Sequence, residues 1–130
     1  MRRGICAAFI AATALFSLNS ATADAPTFRI EHAARDGLAI EAFLTLPPGK
    51  TMKDGPFPLL PFPHNGPLSR DDASFDWSAA YFAQWGYAVL KPNFRGSSGH
   101  VLEFRKKGYG ELGGAMIDDI INGVKYLVSK

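Results

Sequence analysis

Beyond Cys6 the chain has no cysteine, and it holds no Gly-x-Ser-x-Gly, no Gly-x-x-x-x-Gly-Lys and no basic run longer than Arg105-Lys106-Lys107. The lack of cysteine excludes a disulfide framework, so hydrophobic burial has to supply the stability. Fourteen Lys and Arg stand against twelve Asp and Glu, and without a clustered basic face nucleic acid is excluded as a partner. His32, His64 and His100 are scattered with no paired-ligand spacing, which leaves no metal site. With no nucleotide-binding phrase, and with the Gly-rich stretch 93–110 read as a plain loop, no cofactor is expected.

Long apolar runs are scarce as well. The longest extends from Gly4 to Leu18, after Met1-Arg2-Arg3, and ends on the small residues Ala21-Thr22-Ala23. Fifteen mostly small residues fall short of the roughly 20 that span a bilayer, so no stable membrane anchor is expected. A positive start, a short apolar middle and an A-x-A site read as a secretory signal peptide over 1–23, cut after Ala23, for a secreted or periplasmic product. Cleavage removes Cys6, Arg2 and Arg3 and leaves 107 residues with twelve basic against twelve acidic side chains. That length folds as one small domain, 24–130.

Alternation over Thr27–His32, a turn at Arg35-Asp36-Gly37 and renewed alternation over Ala39–Leu46 predict a hairpin. Pro47 to Gly55 reads as a loop, and the apolar run Phe57–Pro63 as a buried parallel strand. The spacing of Trp77, Tyr81 and Trp85 predicts a helix over about 74–85, its aromatic stripe facing the core and Gly86 ending it. Tyr87–Leu90 reads as a second buried strand closed by Pro92. A last helix over about 112–128 carries Met116, Ile117, Ile120, Ile121, Val124, Leu127 and Val128 on one face. Hairpin, strand, helix, strand, helix is the opening of an α/β sheet.

In α/β-hydrolases one oxyanion-hole N–H comes from a loop after the third strand, commonly His-Gly-Gly, and His64-Asn65-Gly66-Pro67 stands where that loop belongs. The chemistry needs backbone donors aimed at a developing negative oxygen, beside residues small enough to admit substrate. Ser98 is a near miss for the nucleophile, because Gly96 precedes it correctly but His100 occupies the place of the second glycine.

The order of further phrases carries a resemblance. Ala34-Arg35-Asp36-Gly37-Leu38 precedes Ala42-Phe43-Leu44-Thr45-Leu46-Pro47, and Pro63-His64-Asn65-Gly66-Pro67 is followed by Arg70-Asp71-Asp72 and Phe75-Asp76. Then come Trp85-Gly86-Tyr87-Ala88-Val89-Leu90, Pro92-Asn93-Phe94-Arg95-Gly96-Ser97-Ser98-Gly99, Gly113-Gly114 and Asp118-Asp119. This string covers nearly all of residues 29–128 and resembles the prolyl oligopeptidase family of serine peptidases, especially its bacterial dipeptidyl aminopeptidase and acylaminoacyl-peptidase-like members.

The resemblance implies an α/β-hydrolase fold, truncated to the hairpin, two parallel strands and two helices, and peptide hydrolysis through an acyl-enzyme. It implies Gly66 N–H as the oxyanion donor, His64 as a residue shaping the loop, and Asn65 in place of the family's first glycine, in a position whose left-handed backbone asparagine tolerates. Arg95 is expected to tie its loop to the last helix through Asp118 or Asp119, the alternative being that all three face solvent.

The family's nucleophile, acid and base follow further along, so the catalytic Ser, Asp and His are not among these 130 residues and the chain alone is expected to be inactive. A peptide substrate is expected only if a carboxy-terminal half completes the site. The family's strand order, 1-2-4-3-5, leaves strand 57–63 unpaired and open to self-association. Two other readings share the residues: an esterase or dienelactone-hydrolase-like enzyme, and a non-catalytic binding or assembly module.

Overall fold

The computed structural model describes residues 25–130; the signal peptide expected over 1–23, its expected cut after Ala23 and Cys6 lie outside the described residues. β1 (Thr27–Ala33) and β2 (Ala39–Thr45) form the hairpin, paired antiparallel from Thr27 opposite Thr45 to Ala33 opposite Ala39. β3 (Leu59–Pro61) leads through a long loop to α1 (Trp77–Gln84), and β4 (Ala88–Pro92) leads through a second loop and α2 (Leu102–Lys106) to α3 (Ala115–Val128). The sheet order is β1-β2-β4-β3, with β4 antiparallel to β2 and parallel to β3.

β4 is central and buried along its whole length, as an apolar run without alternation requires of a strand covered on both faces. Leu90 contacts α3 at Gly123, while the next residue, Lys91, reaches Asp76 at the start of α1. Successive strand side chains point to opposite faces, so α1 and α3 cover opposite sides of the sheet. On the α3 side Leu44, Leu46 and Ala88 form a core with Ile30, Phe57, Leu59 and Leu127 packed against it.

Several expectations need correction. Strand 57–63 shortens to Leu59–Pro61 and is paired along one side: Phe62 N–H donates to Leu90 O at 2.7 Å. The strand expected over Tyr87–Leu90 lies at Ala88–Pro92, with Pro92, opposite Ala42, as its last residue. The 93–110 stretch contains α2, whose five residues are too short to show a helical period in sequence. A 3-10 turn, Met52–Asp54, interrupts the loop after β2.

α1 presents the opposite face from the one its pattern indicates. Trp77, Tyr81 and Trp85 are 73%, 54% and 70% exposed, and Ala79 and Ala83 are the buried residues. Positions two apart lie about 200° around a helix, so seating the alanines turns the aromatic stripe outward.

α3 keeps part of its expected face: Met116 is buried and Ile120, Val124 and Leu127 half-buried, but Asp119 and Gly123 join them while Ile117, Ile121 and Val128 are exposed. A Cβ on Gly123 would lie 2.8 Å from His32 Nε2 and 3.1 Å from Leu90 Cδ2, so the helix approaches the sheet most closely where it has no side chain.

Candidate functional site

Two loops leave the same end of neighbouring parallel strands, 62–73 after β3 and 93–99 after β4, and they are tied to each other at several points. Asn93, fully buried, clasps the backbone of Asp71: its Oδ1 accepts from Asp71 N–H at 2.8 Å and its Nδ2 donates to Asp71 O at 3.0 Å. The same amide donates to Glu41 Oε2 at 3.1 Å, and Ser98 N–H donates to Ser69 O at 2.9 Å. Burial pushes the Asp71 carboxyl above the ordinary range, opposed by Lys91, whose Nζ lies 3.8 Å away.

Within the first loop His64 stacks on Phe94, ring centroids 4.5 Å apart, and its Nε2 lies 2.8 Å from Ser97 Oγ. Its Nδ1 lies 3.1 Å from Gly66 O. Gly66 holds φ +70°, in the left-handed region that favours glycine. Among the described residues its N–H has no hydrogen-bond partner, and the residue is exposed. Asn65 does not adopt the left-handed backbone expected of it, since no described non-glycine residue has positive φ. Gly66 alone makes the turn.

The second loop is anchored to α3 and to the hairpin. Arg95 Nε donates to Asp119 Oδ2 at 2.9 Å and Nη2 to Asp119 Oδ1 at 2.8 Å, while the Arg95 backbone N–H reaches the same carboxylate at 3.0 Å. Its outer edge bonds both oxygens of Asp36, at 3.2 and 3.1 Å. The bond to Asp119 raises the Arg95 pKa despite burial, and the bond from Arg95 holds the Asp36 carboxyl below its usual range. Asp118 is not part of this cluster; it pairs with the exposed Arg35 at 3.2 Å.

No Ser-His relay suited to nucleophilic attack exists among the described residues. His64 meets Ser97, not Ser98, and Ser97 is fully buried with its hydroxyl 2.7 Å from Phe94 O, so no substrate reaches it. His100 packs at a tilt against Phe104, 4.4 Å between centroids, and its Nε2 lies 3.7 Å from Glu41. Among the described residues no three His, Cys, Asp or Glu side chains cluster as metal ligands.

The sequence does contain a Gly-x-Gly-x-x-Gly spacing, Gly108 to Gly113, just before α3. It follows α2 where a dinucleotide site needs a strand, and the Glu111 carboxylate already accepts from Ala115 N–H at 3.1 Å at the helix start. A phosphate would meet that negative charge.

Sequence reasoning singled out His64, Gly66, Arg95 and Asp119, and the structure places the first two in one loop, Arg95 in its neighbour, and Asp119 on α3, to which Arg95 is bonded. It missed Asn93, Ser97, Asp71 and Asp36. Each lies within a quoted phrase, but only the folded geometry gives it a partner.

Residues 73–130 match the prolyl oligopeptidase family. Dipeptidyl aminopeptidase BIII of Pseudoxanthomonas mexicana is 38% identical over 112 residues, covering 81% of this chain and 16% of that protein. Dipeptidyl peptidase family member 6 of Caenorhabditis elegans is 34% identical over 116 residues, covering 75% and 16% respectively. Among solved structures, puromycin hydrolase superposes with a TM-score of 0.73 at 29% identity, over 81% of this chain and 16% of its own. Pyrococcus horikoshii acylaminoacyl peptidase superposes with a TM-score of 0.71 at 23% identity, over 82% and 17%, a likeness of fold. The chain thus spans about 16% of the length of these curated relatives.

Proposed function

Since the chain belongs to the prolyl oligopeptidase family of serine peptidases, we propose that residues 24–130 build the oxyanion side of a peptidase site of the α/β-hydrolase type. In this reading Gly66 N–H is one of the two donors that stabilise the tetrahedral intermediate, and the nucleophile, its base and its acid are supplied by polypeptide outside these 130 residues. The observation that carries the reading is the exposed, unpartnered Gly66 N–H at φ +70°, in a loop tied to its neighbour through His64–Ser97 and Asp71–Asn93. A preorganised donor of this kind is worth about 10²–10³ in kcat. Without a nucleophile it turns nothing over, so the chain alone is inactive. Its substrate, once the site is complete, is a peptide, and the mature chain begins at Asp24 after export.

The test compares two proteins. The mature chain alone is expected to show no turnover of p-nitrophenyl acetate or aminoacyl-nitroanilides and no fluorophosphonate labelling. Fused to the part of dipeptidyl aminopeptidase BIII that follows the matched region, it is expected to label and to hydrolyse the nitroanilide. Stoichiometric labelling of Ser97 or Ser98 in the chain alone, or a folded fusion that does not label, overturns the reading. For export, mass spectrometry of periplasmic material is expected to find Asp24 at the amino terminus; an intact Met1 in the membrane fraction refutes it.

A further inference from the structure

His64, Ser97, Phe94 and Gly66 make three contacts that compete for protons. Ser97 Oγ lies 2.7 Å from Phe94 O and 2.8 Å from His64 Nε2, and His64 Nδ1 lies 3.1 Å from Gly66 O. The two carbonyl oxygens only accept, the serine hydroxyl has one hydrogen to donate, and neutral imidazole carries its hydrogen on one nitrogen only. Two of the three contacts can therefore be hydrogen bonds, and one pair must face without a proton.

The distances decide which. With the proton on Nδ1, the imidazole donates to Gly66 O and takes the serine hydrogen at Nε2, leaving two oxygens 2.7 Å apart with nothing between them. With the proton on Nε2, the serine hydroxyl donates to Phe94 O and accepts from His64, and the unprotonated pair is Nδ1 and Gly66 O at the longer 3.1 Å. Ser97 is fully buried, so no water relieves a hydroxyl left without its partner, and the stacked Phe94 ring limits tilting of the imidazole.

We propose that Ser97 is a positioning residue for the oxyanion loop: by donating to Phe94 O it holds His64 as the Nε2–H tautomer and so fixes the imidazole as a brace beneath the Gly66 turn. The role in catalysis rests on the oxyanion reading above, whereas the tautomer does not. Ser97 touches no reacting atom; it acts through His64. The Arg95–Asp119 bond two residues away holds the same loop against α3, which keeps Ser97 at the height of the imidazole.

The tautomer is read by 15N NMR of the histidine-labelled full chain, whose two ring-nitrogen shifts report which nitrogens carry a proton. The expected result is a single His64 tautomer, Nε2 in the protonated range and Nδ1 in the unprotonated range. In Ser97→Ala both nitrogens move toward the average of the two tautomers and the Gly66 amide cross-peak shifts; Ser97→Thr, which keeps the hydroxyl, restores the wild-type pattern. A wild-type proton on Nδ1, or an unchanged tautomer in a folded Ser97→Ala, overturns the proposal. If the alanine variant does not fold, the wild-type tautomer decides alone. In the active fusion Ser97→Ala is expected to lower kcat and leave KM unchanged. A shifted tautomer with unaltered kcat sinks the oxyanion reading and leaves the Ser97–His64 brace standing.

Discussion

The Arg95 guanidinium meets the Asp119 carboxylate side-on, two parallel N–H donors at 2.9 and 2.8 Å against its two oxygens, with Asp119 fully buried. The bidentate form suits Arg, and the backbone N–H of Arg95 adds a third donor. Removing Arg95 leaves Asp119 buried without its cation, whereas removing Asp119 leaves Arg95 still bonded to Asp36. Arg95→Ala is therefore expected to cost about 3–5 kcal/mol. Asp118→Ala, which breaks only an exposed pair with Arg35, is expected to cost at most about 1 kcal/mol. Urea unfolding of the two variants checks the contrast, and equal losses would show that the tie to α3 is not where the structure places it.

His32 gives the chain an acid sensitivity separate from its carboxylates. Its imidazole is buried between β1 and α3 with no hydrogen-bond partner on either nitrogen, against Gly123 and stacked on Tyr126 at 6.3 Å. Burial pushes its pKa below the ordinary value, partly opposed by the nearby Ala33 backbone and by the charge of Asp119. The unfolded chain thus binds this proton more readily than the folded one. Stability is fully present above about pH 6.5 and falls as the pH drops toward the lowered folded value. Denaturant midpoints measured on either side of that pH are expected to differ in wild type and to differ less in His32→Leu.

The aromatic stripe of α1 and the core under α3 offer a direct comparison. Trp77→Ala, Tyr81→Ala and Trp85→Ala each remove a mostly exposed ring and are expected to change stability by no more than about 0.5 kcal/mol. Leu44→Ala and Leu90→Ala open cavities in the buried sheet and are expected to cost about 2–5 kcal/mol. Thermal or urea unfolding distinguishes them, and large losses from the tryptophans would mean that the helix face is seated the other way.

Asn93 holds the candidate oxyanion loop by its backbone. Asn93→Ala leaves Asp71 N–H and O without their partners, a loss of about 1–3 kcal/mol. Faster hydrogen exchange at the Asp71 amide, with the amides of β4 still protected, is the expected signature. Unchanged exchange at Asp71 contradicts the clasp.

Much of this was legible in the sequence because it depends on short-range pattern. The hairpin follows from two alternating runs around Arg35-Asp36-Gly37, and the strand β4 from the apolar run Tyr87–Leu90 that ends at Lys91-Pro92. A turn after the third strand follows from the Gly-Pro pair in His64-Asn65-Gly66-Pro67, although the left-handed backbone expected at Asn65 falls on Gly66 instead. These features require only that neighbouring residues agree with one another.

The tertiary structure decided what depends on distance through space. Periodicity named an apolar face on α1 and on α3, but on α1 the sheet accepted the opposite face, with Ala79 and Ala83, and on α3 it accepted part of the expected face shifted toward Gly123, where close approach is possible. Adjacent aspartates are indistinguishable in sequence; about 100° of helical rotation buries Asp119 against Arg95 and leaves Asp118 with Arg35 near the surface. Ser97 and Ser98 differ by one position, yet the turn brings the side chain of the first to His64 and leaves the second half-buried, bonded through its backbone to Ser69. Residue types set what chemistry the loops are able to hold, and only packing assigned each donor its acceptor, because a hydrogen bond is made or lost within a few tenths of an ångström.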